Sequence, residues 1–373
     1  MSRRIYPREV IRKMSKYWNK LINSIEPYTA GEQPKPGQRI IKLNTNENPY
    51  SPSPMCKKAL EEFDISLLRL YPNTDSRMVC EAVAEVDNVS PENVFVGNGS
   101  DEVLALCWQT FFEKDINTDK AVLIPSISYS FYPVYADFYS VRAQKIPLKD
   151  DFTIDPSDYC GKANCGISIA NPNAPTSIGL SLDDIKKILD ANKDSVVLID
   201  EAYAAFAEGY TTAATLINEY KNLIVVRTLS KSYGLAGLRL GYAIGDKELI
   251  EGLKRARDSF NSYPADALAQ TLATAALKDR ENFERNRQKL ICTRNRVTKE
   301  LRAMGFTLPD SSTNFVFAKP PVGTSAESLY KNLKAKGILV RYFNKPLINE
   351  YLRISVGTDE EMDEFLKAVR EEI

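Results

Sequence analysis

The sequence predicts an α/β protein, with a large unit built on a mainly parallel central sheet and a smaller α+β unit at the C-terminus. Three observations carry that expectation. The chain has 373 residues, about twice what one ordinary core of roughly 150 residues fills, so it has material for two units or one large one. Its middle repeats a strand-then-helix rhythm, in which Val/Ile/Leu runs alternate with helical stretches such as LDDIKKILDA. Strands apolar on both faces belong to a parallel sheet covered by helices on both sides. Beyond Pro264 the pattern changes to a long charged helical region followed by short strands and further helices.

In chain order, the spacing from Arg3 to about Ile25 suits an amphipathic helix, and PYTAGEQPKP (27–36) breaks it into an N-terminal arm. A helical stretch after Pro54 leads to LYPNTDS and a helix from Asp75 to Val86. VFVG (94–97) reads as a strand, and NGSDEVLALCWQTFF as a helix started by Ser100 and Asp101. AVLIP (121–125), GISIA (166–170), SVVLID (195–200) and NLIVVRTLS (222–230) are the sheet strands. The later part reads as a charged helical region to about Met304, a strand NFVFAK, a helix from Ser325 to Lys336, then ILVRYF, LRISVG and a final helix. Such sheets bind ligands at the carboxyl ends of their strands.

Composition excludes several chemistries. The chain carries no histidine, which removes Ser-His-Asp triads, Cys-His pairs, His metal sites and imidazole acid–base catalysis. Proton transfer is left to Lys, Tyr, Cys or carboxylates. Lys plus Arg and Asp plus Glu are 49 each, so no overall field draws nucleic acid or an anionic membrane. The 6 cysteines form no CxxC pair and read as reduced thiols, with no metal cluster expected. The first residues, MSRRIYPREVIRKMSKYWNK, lack the apolar core of a secretory signal, so a cytoplasmic location is expected. No stretch approaches the ~18–20 apolar residues of a membrane helix.

The most informative segment is TLSKSYGLAGLRLGYAIG (228–245). It places Lys231 just beyond an apolar strand, beside Ser230 and eight residues before Arg239. A lone lysine there is a solvated charge. A Schiff-base lysine needs partners: an electron sink, an anion anchor and a surface for a flat ring. Each partner type occurs at the end of a different expected strand. Asp200 closes VVLID, where a carboxylate serves as a turn former or keeps a pyridine nitrogen protonated. Tyr203 follows, placed to donate to a ring oxygen or to pack in the core. GNGSDE (97–102), with Gly99, Ser100 and Asp101, offers backbone N–H groups at a helix start. Ser230 and Arg239 add a hydroxyl and a guanidinium fork for the same anion. Tyr129, in SYSFYPVY, is a stacking candidate or one more core aromatic, and Asn173, in NPNAPTS, a ring-oxygen ligand or a turn residue. Arg353, in YLRISVG, suits a substrate carboxylate or a structural ion pair.

Taken together and in order, PYTAGEQP, LNTNENPY, YPNTDS, GNGSDE, SYSFYPVY, NPNAPTS, VLIDEAY, SKSYGLAGLRLGY, TNFVFAK and LRISVGT resemble the fold-type I aminotransferases that use pyridoxal 5′-phosphate, and most closely the histidinol-phosphate aminotransferases, from about Met14 to the end. The resemblance implies that Lys231 is the Schiff-base lysine, Asp200 the pyridine-nitrogen partner and Tyr203 the ring-oxygen donor. It implies that Gly99, Ser100, Asp101, Ser230 and Arg239 serve the cofactor phosphate side, that Tyr129 stacks on the ring and that Asn173 reaches its oxygen. Tyr71 would contribute from a neighbouring subunit, which implies a homodimer with shared sites. Tyr28, Asn46, Arg341 and Arg353 would bind substrate. The implied units are an arm over 1–47 that packs on the small domain or the partner subunit, a large cofactor domain over 48–263 and a small domain over 264–373. The implied reaction converts L-histidinol phosphate and 2-oxoglutarate to imidazole acetol phosphate and L-glutamate. An aromatic amino-acid aminotransferase, a threonine-phosphate decarboxylase and a non-catalytic ligand-sensing module are the alternatives. The chain departs from the family's common NPNNPTG at Ala174 and Ser177.

Overall fold

The computed structural model describes residues 15–28, 31–33, 37, 39–113 and 120–373. Its elements are α1 (Lys20–Ser24), β1 (Ile41–Lys42), α2 (Pro54–Glu61), α3 (Arg77–Asp87), β2 (Val94–Gly97), α4 (Gly99–Phe111), β3 (Val122–Pro125), α5 (Tyr132–Phe138), β4 (Ala143–Ile146), β5 (Gly166–Ala170), α6 (Leu182–Ala191) and β6 (Val197–Asp200). They continue with β7 (Leu223–Thr228), α7 (Leu229–Ser232), β8 (Gly241–Gly245), α8 (Lys247–Asp258), α9 (Ala267–Lys278), α10 (Arg280–Ala303), β9 (Phe315–Ala318), α11 (Ala326–Ala335), β10 (Ile338–Leu339), β11 (Arg341–Tyr342), β12 (Leu352–Ser355) and α12 (Asp359–Arg370). Side-chain oxygens at helix starts satisfy free backbone donors: Ser53 caps α2, Ser181 caps α6 and Thr358 forms a capping box with Glu361 on α12.

The seven-stranded sheet has the order β2-β8-β7-β6-β5-β3-β4. β7, β6, β5, β3 and β4 are parallel, and β8 is antiparallel to both β7 and β2. The mainly parallel sheet is therefore present. Because β8 reverses twice, β2 points the same way as the parallel set. The ends of β2, β3, β5, β6 and β7 and the start of β8 thus share one edge. Apolar side chains on the two sheet faces feed two separate cores.

The smaller unit packs α10, α11 and α12 around the antiparallel sheet β11-β12-β9, with Leu43 of the arm buried in the same core. β1 pairs with β10 in parallel, which fastens the arm to this unit. Three sequence expectations shift. Among the described residues 15–25, helix covers only Lys20–Ser24, and the rest of the expected Arg3–Ile25 helix lies outside the described residues. α9 buries Ala269, Ala273, Ala276 and Leu277 in a core of the large unit, so packing changes unit at α10 and not at residue 264. α4 begins at Gly99, one residue before the expected start, and its N-cap Asn98 makes no side-chain cap bond. Among the described residues no helix is long and apolar enough to cross a membrane, and no group of side chains is placed to hold a metal.

Candidate active site

Asp200 ends β6 and is buried. Its Oδ2 accepts from the Tyr132 hydroxyl at 3.1 Å and its Oδ1 from the Ala202 amide at 3.1 Å. Burial pushes the Asp200 carboxyl up to about 6, while the Ala202 and Tyr132 donors pull it the other way. No described cation forms an ion pair with it. A buried carboxylate without a counter-ion favours a cation brought by a ligand.

Lys231 lies in α7, a single turn that starts where Thr228 ends β7 and accepts from the Ser230 amide. Lys231 Nζ donates to the Thr45 carbonyl at 3.1 Å and sits 5.9 Å from the centroid of the Tyr203 ring. The Tyr203 hydroxyl accepts from Asn46 Nδ2 at 3.0 Å, and its ring stands edge-on to Phe315. Lys231, Tyr203 and Asp200 thus come from two adjacent strand ends.

A cup forms where β2, β7 and β8 meet. Gly99 has φ +80°, and a Cβ there would lie 2.5 Å from Arg239 Nη2. A Cβ on Gly241 would lie 2.4 Å from the Ser100 amide nitrogen. Only glycine lets the guanidinium and the start of α4 approach this closely. Ser230 Oγ accepts from Thr228 Oγ1 at 2.9 Å in the same place. The uncapped start of the 13-residue α4 adds free N–H groups and a partial positive charge. Asp101 joins the cup wall: it accepts from the Tyr129 hydroxyl at 2.7 Å and pairs with Arg239 at 3.4 Å.

The structure gathers Tyr129 with these groups, its ring edge-on to Tyr132. Tyr28 reaches the same aromatic rim, 4.4 Å from the Phe131 ring. Asn173 is buried, and both hydrogens of its amide are used by protein groups, the Ile127 carbonyl in the loop after β3 and Thr176 Oγ1 in its own loop. It braces the loop, and neither hydrogen is left for the expected ring oxygen. Asn46 likewise departs from the expected substrate contact, because it is fully buried and engaged by protein groups. Tyr71 is not gathered with the others. It is 81% exposed and stacks on Tyr263 at 4.5 Å.

Arg341 and Arg353 are direct cross-strand partners on β11 and β12. Like charges placed opposite one another destabilise a sheet, yet no described carboxylate pairs with either. Arg353 Nη2 donates to the Asn44 carbonyl at 2.8 Å, its Nε is buried without a partner, and its guanidinium faces the rings of Phe315 and Phe343. Burial and the charge of Arg341 push the Arg353 guanidinium down. Two cations side by side, with no carboxylate partner among the described residues, are able to receive an anion.

Sequence reasoning missed Tyr132 and the carbonyls of Thr45 and Asn44. Tyr132 stands three residues after Tyr129 and opens α5 at the end of the loop from β3; that placement was its available signal. The carbonyls carry no side-chain signature.

Residues 38–369 match the family model for aminotransferase class I and II. The histidinol-phosphate aminotransferase of Clostridium acetobutylicum is 50% identical over 96% of this chain and 99% of its own length. The histidinol-phosphate aminotransferase of Brachyspira hyodysenteriae is 48% identical over 96% and 99%. Among solved structures, histidinol-phosphate aminotransferase from Sinorhizobium meliloti in complex with pyridoxal-5′-phosphate superposes with a TM-score of 0.84 at 23% identity, covering 96% of this chain and 98% of that one. The chain therefore belongs to the aminotransferase class I and II family, among its histidinol-phosphate aminotransferases.

Proposed function

We propose that the chain transfers the amino group of L-histidinol phosphate to 2-oxoglutarate, giving imidazole acetol phosphate and L-glutamate in histidine biosynthesis, as a cytoplasmic homodimer with shared sites. The observation that carries this reading is the Arg341–Arg353 pair, opposite one another with no carboxylate partner among the described residues. Both half-reactions bring an anion to such a receptor: the phosphate of the donor and the carboxylates of the acceptor.

Pyridoxal phosphate is the cofactor of this family, and the residues present fit it. The cup that a Cβ on Gly99 or Gly241 would fill suits a phosphate, and buried Asp200 without a counter-ion suits a protonated ring nitrogen. When bound, the cofactor supplies an electron sink for the pair released at the substrate Cα. Gly99, Ser100, Ser230 and Arg239 hold its phosphate. Asp200, steadied by Tyr132, holds the proton on the ring nitrogen. Tyr129 confines the ring, and Tyr203 donates to the ring oxygen. Lys231 Nζ would take the proton from the substrate Cα and deliver it to the cofactor carbon that keeps the amino group, a role open to an amine that the fold holds by one hydrogen bond to Thr45. Arg353 faces the carboxylate, and Tyr28 with Arg341 the substrate phosphate. Tyr71 stands among exposed Ile65, Leu67, Leu68 and Leu70, an apolar surface that suits a second copy, which would receive Tyr71 at its own cup.

Purified protein given histidinol phosphate and 2-oxoglutarate should form glutamate, and the Lys231→Ala variant should not. No turnover, or equal turnover in the variant, overturns the proposal.

A further inference from the structure

We infer that Asn46 is a positioning residue for Tyr203: its amide donates into the phenol oxygen and thereby leaves the phenol hydrogen to point at the acceptor that Tyr203 serves. The inference rests on the functional reading above, in which that acceptor is the oxygen on the cofactor ring.

The hydrogen bonds fix the direction of each donor. Asn46 N–H donates to Ser355 Oγ at 2.8 Å, and Ser355 Oγ donates to Asn46 Oδ1 at 3.0 Å. Ser355 thereby pins Oδ1 on its own side and turns Nδ2 toward Tyr203, at 3.0 Å. With Nδ2 donating into it, the phenol oxygen has its single hydrogen free for another acceptor. The Asn46 carbonyl in turn accepts from Asn314 Nδ2 at 2.9 Å. Backbone and side chain of Asn46 are thus both engaged at a fully buried position, where an unpaired polar group is costly.

Backbone geometry narrows the choice of residue further. Asn46 has φ +56°, in the left-handed region that asparagine, aspartate and glycine tolerate best. Of these, glycine has no amide to offer, and an aspartate carboxylate would accept from the phenol and turn its hydrogen away. Asparagine alone meets both demands.

The network also reaches the substrate side. Ser355 and Arg353 are two apart on β12, so both side chains lie on the same face of the strand. One strand of the smaller unit therefore carries the anion-binding guanidinium and the hydroxyl that orients Asn46. Among the described residues the charged and titratable groups that act on Tyr203 are Lys231, 5.9 Å from its ring centroid, and Arg353 and Tyr129 through their charge; Phe315 stands edge-on to its ring.

The test compares the parent with Asn46→Asp, Asn46→Gly, Ser355→Ala and Tyr203→Phe. Each is loaded with pyridoxal phosphate, and the pH midpoint of the visible absorbance change of the bound cofactor is recorded beside kcat, KM and the melting point of the apoprotein. A phenol that donates to the ring oxygen draws charge from it and lowers the midpoint. Asn46→Asp and Tyr203→Phe should each raise the midpoint by about one pH unit, the size of one hydrogen bond lost. Asn46→Gly, which keeps the backbone conformation, and Ser355→Ala should raise it by less. A purely structural role would lower melting points and leave the midpoint in place. If Tyr203→Phe moves the midpoint while the Asn46 and Ser355 variants titrate with the parent, the inference is overturned and the functional reading stands. A parent that neither takes up the cofactor nor forms glutamate overturns both.

Discussion

Ser177→Gly should make the protein more stable. Ser177 has φ +67° and no exposed surface, and its Oγ is buried without a hydrogen-bond partner. A Cβ in the left-handed region costs about 1–2 kcal/mol, and an unsatisfied buried hydroxyl about 1–3 kcal/mol. Glycine removes both and gives back about 0.5–1 kcal/mol through the freer unfolded chain. The backbone bonds that matter locally, Ser177 N to the Asn173 carbonyl at 2.8 Å and Ser312 N to the Ser177 carbonyl at 2.9 Å, survive the change. The net expectation is a gain of about 2 kcal/mol, or a melting point higher by roughly 4–8 °C if the affected unit behaves like a domain of 150–250 residues. Differential scanning calorimetry of the apoprotein reads it directly. Ser177→Ala separates the causes, because it removes the orphaned hydroxyl and keeps the strained Cβ; its gain should be smaller. A Ser177→Gly protein that melts at or below the parent would refute the reasoning, and equal gains in the two variants would show that the strain is no larger than the entropy glycine gives back. The family's common glycine at this place fits the same physics.

Other outcomes follow from the site. Folding raises the Asp200 carboxyl from 3.8 to about 6, so the native apoprotein holds a proton that the unfolded chain has released between those values. Its stability should therefore fall by about 2 kcal/mol as pH rises from 4 to 6, and Asp200→Asn should abolish that part of the profile in denaturant titrations. Tyr132→Phe removes one of the two donors to this carboxylate and should move the same fall to higher pH. Arg353→Met should raise KM for 2-oxoglutarate about 10- to 100-fold, the value of charge-assisted hydrogen bonds. The apoprotein should be at least as stable as the parent, because a like-charge pair is relieved; steady-state kinetics and melting curves check the two halves. Gly99→Ala places a Cβ against the Arg239 guanidinium and should weaken cofactor binding about tenfold or more, the value of one charge-assisted hydrogen bond lost when the guanidinium is pushed aside; titration of the apoprotein with pyridoxal phosphate reads it.

Much of this was legible in the sequence because the strands that carry the chemistry are buried on both faces. β2, β3, β5, β6 and β7 are continuous apolar runs, and each ends at the residues that were singled out. β4 was missed because only Ile146 of Ala143–Ile146 is buried at that sheet edge, so no apolar run marks it. β8 was missed because Gly241–Gly245 is short, bounded by glycines and continuous with the SKSYGLAGLRLGY motif. The roles of Asn46 and Asn173 were not legible for a different reason. An amide is assigned by the partners of its oxygen and its hydrogens, and for Asn46 those are Ser355 and Tyr203, 309 and 157 positions away. Tyr132 is a similar case, since its partner Asp200 lies 68 positions on.

The central claim is that the Lys231 amine carries the cofactor. Reduction of the loaded protein with borohydride, followed by trypsin and mass spectrometry, tests it directly. Trypsin does not cut at a modified lysine, so the pyridoxyl group should appear on an uncut peptide running from Thr228 to Arg239. A pyridoxyl group on any other lysine, or cleavage after an unmodified Lys231 in fully loaded protein, would contradict the account.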